Sequence, residues 1–257
     1  MEEKYFIIGI VAMLASLLTF FSGFGLGTLL LPVFAVFFPL DVAIALTAVV
    51  HLLNNIFKLV ITGRHFNKEI ILKFGLIAVA GALAGAWLLE SAGDKILLSY
   101  SFQGKVYEVM LVKLIIAIVI TIFSLTEIIP AFNFEFDKKY LPVGGLFSGF
   151  FGGLSGHQGA LRSMFLVKCN LTKESFIATG VLIACLIDVS RLSVYATHFS
   201  AENLNRNSGI LITAILCAFA GAFAGQQLLK KVTMGFLQKA VSVFIILFAL
   251  ALGAGIV

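Results

Sequence analysis

The chain has 257 residues, 60% hydrophobic and only 12% charged, with a formal net charge of +5 and a mean hydropathy of +1.08. A soluble domain carries about a quarter charged residues, so that class is excluded, and disorder with it. What remains is an all-α polytopic membrane protein, with room for about seven to nine helical spans of roughly 20 apolar residues each. Strand spans are excluded because these segments are apolar on every face, whereas barrel strands alternate.

In chain order, the first apolar stretch, Tyr5 to Leu40, is too long for one span and is interrupted by Ser22-Gly23-Phe24-Gly25-Leu26-Gly27. The next runs from Asp41 to about Thr62 and ends in the basic turn Gly63 to Lys68. A third, Ile70 to Leu89, carries Gly75, Gly81 and Gly85 among alanines, a small-residue face for close helix packing. A polar segment from Glu90 to Lys105 leads to a fourth span, about Val106 to Ile129, stopped by Pro130. The strongly polar linker 133–139 divides a first transmembrane repeat, 1–132, from a second, 140–257. The second half opens with Tyr140 to Val167, interrupted by Gly152-Gly153-Leu154-Ser155-Gly156-His157-Gln158-Gly159, and continues in spans near 174–195, 209–229 and 234–257. The expectation is about eight crossings in two four-helix repeats, the first helix of each broken by glycines.

The duplication rests on register. A shift of 133 residues places Ser22-Gly23 on Ser155-Gly156, Asp41 on Glu174, Asn55 on Asp188, Lys58 on Arg191, and His65-Phe66 on His198-Phe199. Chance matching of apolar residues does not readily supply a polar-plus-basic pair at one spacing in both second spans. Repeats of this kind are the architecture of secondary transporters. Four true spans per half make the repeats parallel, and a re-entrant hairpin makes them inverted. Lysines and arginines divide evenly between the two sides, so the positive-inside rule leaves orientation open.

Broken helix in hydrocarbon is tolerated only where it lines a cavity or is buried in protein. It exposes N–H groups at the start of its second half, an anion site that glycine lets a ligand approach closely. Tight packing is the structural alternative for Gly23, Gly25, Gly27 and Thr28, and for Ser155, Gly156, Gln158 and Gly159. On the second span His51, Asn54, Asn55 and Lys58 form one polar stripe at i, i+3, i+4 and i+7, as Asp188, Arg191 and Tyr195 do in the matching helix. Burying such groups costs at least about 2.5–3.5 kcal/mol apiece, so they belong against a partner or a watery cavity. Snorkelling is the alternative for Lys58, and a structural ion pair for Asp188 and Arg191. Arg162, at the opening of the second half-helix, is the best single candidate for an anion contact, because guanidinium offers a planar fork. His157 sits where it can donate to an anion, titrate, or cap a helix.

Other chemistries fare worse. Cys169, Cys185 and Cys217 have no CxxC spacing, so neither a metal site nor a cofactor is expected. The basic residues belong to loop ends, so nucleic acid is not a partner. Gly153-Leu154-Ser155-Gly156 fits the Gly-x-Ser-Gly pattern of rhomboid intramembrane proteases, with His198 as candidate base. The serine's counterpart at Ser22-Gly23 argues against it, since duplication suits binding better than one catalytic site. A passive anion channel is the nearer alternative.

Ser22-Gly23-Phe24-Gly25-Leu26-Gly27-Thr28 followed by Pro32, with Gly152 through Ser163 in the second half, resembles the TauE/SafE family of sulfite, sulfonate and related organosulfur-anion transporters. The second copy departs from the family's glycine-rich form by carrying His157 and Gln158, and lacks the following proline. The resemblance implies a secondary transporter for a small sulfur-containing or carboxylate anion in the cell membrane, the bacterial inner membrane being expected. Its partners would be that anion, the lipid bilayer and, as an option, a second copy of the chain. The two broken loops would meet near the midplane and hold the anion with Arg162 and His157.

Overall fold

A chain in hydrocarbon must satisfy its backbone polar groups internally, and this one does so mainly as helices. The computed structural model describes residues 2–22, 25–63, 65–92, 95–129, 136–196, 207–228 and 235–256. The first half contains α1 (Glu2–Ser22), α2 (Leu26–Phe37), α3 (Leu40–Thr62) and α4 (Lys68–Ala92). A hairpin follows, β1 (Ile96–Phe102) and β2 (Lys105–Met110), and then α5 (Leu111–Ile128). The second half contains α6 (Leu141–Ser155), α7 (Gly159–Leu166), α8 (Lys173–Tyr195), α9 (Ser208–Leu228) and α10 (Gly235–Gly253). Among the described residues, five helices (α1, α3, α4, α8 and α9) are long and apolar enough to cross a membrane. The helices α2, α6 and α7 are pieces of 12, 15 and 8 residues, so each interrupted segment consists of two helices.

The all-helical class stands, and the hairpin corrects the expected polar segment. The ladder pairs Leu98 with Val109, Tyr100 with Tyr107 and Phe102 with Lys105, around a two-residue turn at Gln103 and Gly104 with φ of 51° and 77°. A turn with both φ positive matches the right-handed strand twist, which is why glycine serves there. The Tyr100 hydroxyl donates to the Ala254 carbonyl at 2.7 Å, tying the hairpin to the end of α10. The fourth apolar helix therefore starts at Leu111 and not Val106.

Caps fix two helix starts locally. The Asn67 side chain accepts from the Ile70 N–H at 3.1 Å, and Thr172 accepts from the Ser175 N–H at 3.2 Å. Phe6, Val60, Trp87 and Leu216 are each at least 60% exposed, as residues facing lipid should be.

Glycine sets the closest helix contacts. A Cβ at Gly145, Gly149 or Gly153 of α6 would overlap the carbonyls of Phe74, Ala78 or Ala82 of α4, so only glycine permits this approach. Both series ascend, so α4 and α6 run parallel. On the other side, Tyr5, Met13 and Phe20 of α1 meet Gly209, Gly221 and Gly225 of α9, again in parallel. The Met13 carbonyl lies on Gly221 and the Leu146 carbonyl on Gly81. Met13 and Leu146 are equivalent under the 133-residue shift, so one contact is made twice. The central pair is different: α3 and α8 cross antiparallel. His51 and Asn55 reach Asp188, while Asn67, beyond the end of α3, bonds Thr179 nearer the start of α8.

Candidate functional site

The site lies where α3 and α8 cross the two breaks. The polar stripe of α3 lies on an otherwise apolar helix, so its polar groups must be satisfied by polar groups of neighbouring helices or by a ligand. The carboxylate of Asp188 is the hub. Its Oδ2 accepts from His51 Nδ1 at 2.6 Å and from Asn55 Nδ2 at 3.4 Å, and its Oδ1 lies 2.8 Å from Arg191 Nη2 and 3.0 Å from Nε. None of these four side chains is more than 5% exposed. The structural ion pair weighed for Asp188 and Arg191 is therefore present, and it includes His51, 137 residues away.

The breaks wrap this hub. Gly25 caps the start of α2, and a Cβ there would stand 2.9 Å from His51 Nε2, so the ring lies against bare backbone. Gly156 takes φ +80° to end α6, and a Cβ on it would stand 2.8 Å from Arg191 Nη1. Glycine is required at 156 twice over, by its backbone angle and by the guanidinium above it. A Cβ on Gly27 would stand 3.8 Å from the Gly156 carbonyl oxygen, which places the two breaks against each other.

Beside the hub is an open pocket of about 430 Å³, its mouth included. Thr19, Phe20 and Gly25 line it from the first segment, His51, Asn55 and Lys58 from α3, Arg162 from α7, and Phe176, Ile177, Gly180 and Val181 from α8. Lys58 is 4% exposed, which excludes snorkelling. Its Nζ lies 3.4 Å from Thr19 Oγ1 and 5.5 Å from the Phe20 ring centroid. Arg162 is 7% exposed, and a Cβ on Gly180 would stand only 3.1 Å from its Nε, so glycine there makes room for the guanidinium.

The sequence-derived residues thus divide in three. Gly25, His51, Asn55, Lys58 and Arg162 line the pocket. Asp188 and Arg191 stand behind it as a pair. Gly27 and Thr28 in the first turn of α2, with Ser155, Gly156, His157, Gln158 and Gly159, are buried at the meeting of the breaks. Gly23 and His198 lie outside the described residues. His157 Nδ1 donates to the Ser155 carbonyl at 2.9 Å. The Ser155 hydroxyl donates to the Phe151 carbonyl at 3.1 Å and lies 3.2 Å from His157 Nδ1. The Tyr195 hydroxyl donates to the Gly153 carbonyl, fixing the end of α6 to α8. Thr19, Phe20 and Gly180 were not legible as site residues, because each carries its signal only once the helices are placed.

The model of the sulfite exporter family TauE/SafE matches residues 8–252, nearly the whole chain. The chain belongs to the TauE/SafE family. This TauE/SafE protein is therefore an integral multi-pass membrane protein of a transporter family, not of an enzyme family. No curated protein and no solved structure matches it.

Proposed function

We propose that this TauE/SafE protein carries a small oxyanion of sulfur, sulfite or an organosulfonate, through the pocket by alternating access. One observation carries the reading: Lys58 and Arg162, buried cations from opposite halves of the chain, line one pocket whose described lining contains no carboxylate. Two cations that face one cavity raise the potential there and so favour an anion in it. The guanidinium supplies directional donors and the ammonium a compact charge.

The packing supports the mode of transport. The second helices of the two halves cross antiparallel, and the contact of α1 with α9 repeats as that of α6 with α4. A rotation that maps α3 onto an antiparallel α8 has its axis in the membrane plane. The halves are then inverted repeats, and rocking one against the other exposes a central site to each side in turn.

Thermal-shift binding tests the reading. Sulfite or a small sulfonate is expected to stabilise the purified protein, by about 2.7 kcal/mol at a hundredfold excess over Kd. The variant Lys58→Ala/Arg162→Ala should lose that stabilisation. Melting unchanged by every oxyanion in a panel of sulfite, sulfonates and carboxylates would overturn it.

A further inference from the structure

We infer that the chain holds a second, closed pocket, the repeat-related counterpart of the open one, which opens to the opposite membrane face when the first shuts. The inference rests on the inverted-repeat reading above. Under the 133-residue shift every residue lining the open pocket has a counterpart. Phe176 and Ile177 answer to Ala43 and Ile44, Gly180 to Thr47, Gly25 to Gln158, and Lys58 to Arg191. All of the counterparts are buried. The difference is sharpest at the mouth. Phe176 and Ile177, near the start of α8, are half-buried, whereas Ala43 and Ile44, near the start of α3, are at most 2% exposed. Because α3 and α8 are antiparallel, their starts lie at opposite ends of the crossing. The residues that edge the open pocket at one end therefore have counterparts packed shut at the other.

The shut region carries polar atoms that a permanent core would not. Thr47 Oγ1 and both amide atoms of Gln158, Oε1 and Nε2, are buried with no hydrogen-bond partner among the described residues. Thr47 is 2% exposed and Gln158 0%. Thr47 and the second break meet at one point: a Cβ on Gly27 would stand 3.4 Å from Thr47 Cγ2 and 3.8 Å from the carbonyl oxygen of Gly156, two residues before Gln158. A buried polar atom without a partner costs its full desolvation. A second state that admits water and the anion to this junction removes that cost. Asp188 stands between the two pockets, bonding His51 of the open one and Arg191 of the closed one.

Thiol labelling with a membrane-impermeant thiosulfonate tests this, in spheroplasts and in inverted vesicles of a bacterial host. Label is counted above that of the parent, which keeps Cys169, Cys185 and Cys217. Ile177→Cys is expected to react from one face. Ile44→Cys should react from the other, at least about tenfold more slowly, because the second pocket is open only in a minor state. Ala43→Cys repeats the measurement if Ile44→Cys does not fold. Adding Thr47→Val removes an orphaned hydroxyl from the closed pocket, so it should slow the labelling of Ile44→Cys by about another tenfold and leave that of Ile177→Cys as fast as before. Ile44→Cys and Ala43→Cys that stay unlabelled, or react only from the face that labels Ile177→Cys, would overturn the inference. So would labelling that Thr47→Val leaves unchanged. With the parent exchanging sulfite, each of these results leaves the anion-carrier reading standing, and a parent that exchanges no anion would overturn that reading instead.

Discussion

Replacing Asp188 with alanine is expected to destabilise the protein by about 3–5 kcal/mol, the cost of removing one partner from a buried ion pair. The carboxylate is fully buried and serves Arg191, His51 and Asn55 together. Its loss leaves a guanidinium stranded beside Gly156 and frees His51 from its place against Gly25. One substitution would thus loosen the α3–α8 crossing and both breaks at once. Asp188→Asn, which keeps an acceptor for His51 but no charge, should cost less. Unfolding of purified protein in detergent reads the difference, and an Asp188→Ala variant as stable as the parent would show that Asp188 is no hub.

Arg162→Ala should lower the rate of sulfite transport in proteoliposomes at least about 100-fold, equivalent to about 2.7 kcal/mol. Arg162 enters the pocket from the first turn of α7, against the space left by Gly180. Removing it takes away both a charge and a planar set of donors from the site. Arg162→Lys keeps the charge and loses the fork, so it should fall between, at about tenfold. Transport by Arg162→Ala at the parent rate would remove the guanidinium from the site.

The polar stripe was readable in the sequence because helical spacing is local: His51, Asn55 and Lys58 recur on one face whatever the helix packs against. The breaks were readable because Gly23, Gly25 and Gly27 stand two apart, a spacing that helix packing alone does not need. What joins these parts was not readable. The pairing of His51 with Asp188 spans 137 residues and depends on an antiparallel crossing that no local pattern encodes. That crossing also bears on the choice between parallel and inverted repeats, which the tied lysine and arginine count had left open.

The hairpin was missed for a different reason. Its alternation of Leu98, Tyr100 and Phe102 with Ser99 and Ser101 is a period-two signal ending at Gly104, but Glu90 to Lys105 was weighed by polarity. Polarity finds the ends of spans and is blind to strands between them.

Counterflow tests the central claim most directly. Proteoliposomes loaded with unlabelled sulfite and diluted into a trace of labelled sulfite should take up label faster than empty ones, with a transient overshoot, because a carrier that alternates exchanges one anion for another. Label that enters loaded and empty vesicles at the same rate, or not at all, would contradict it.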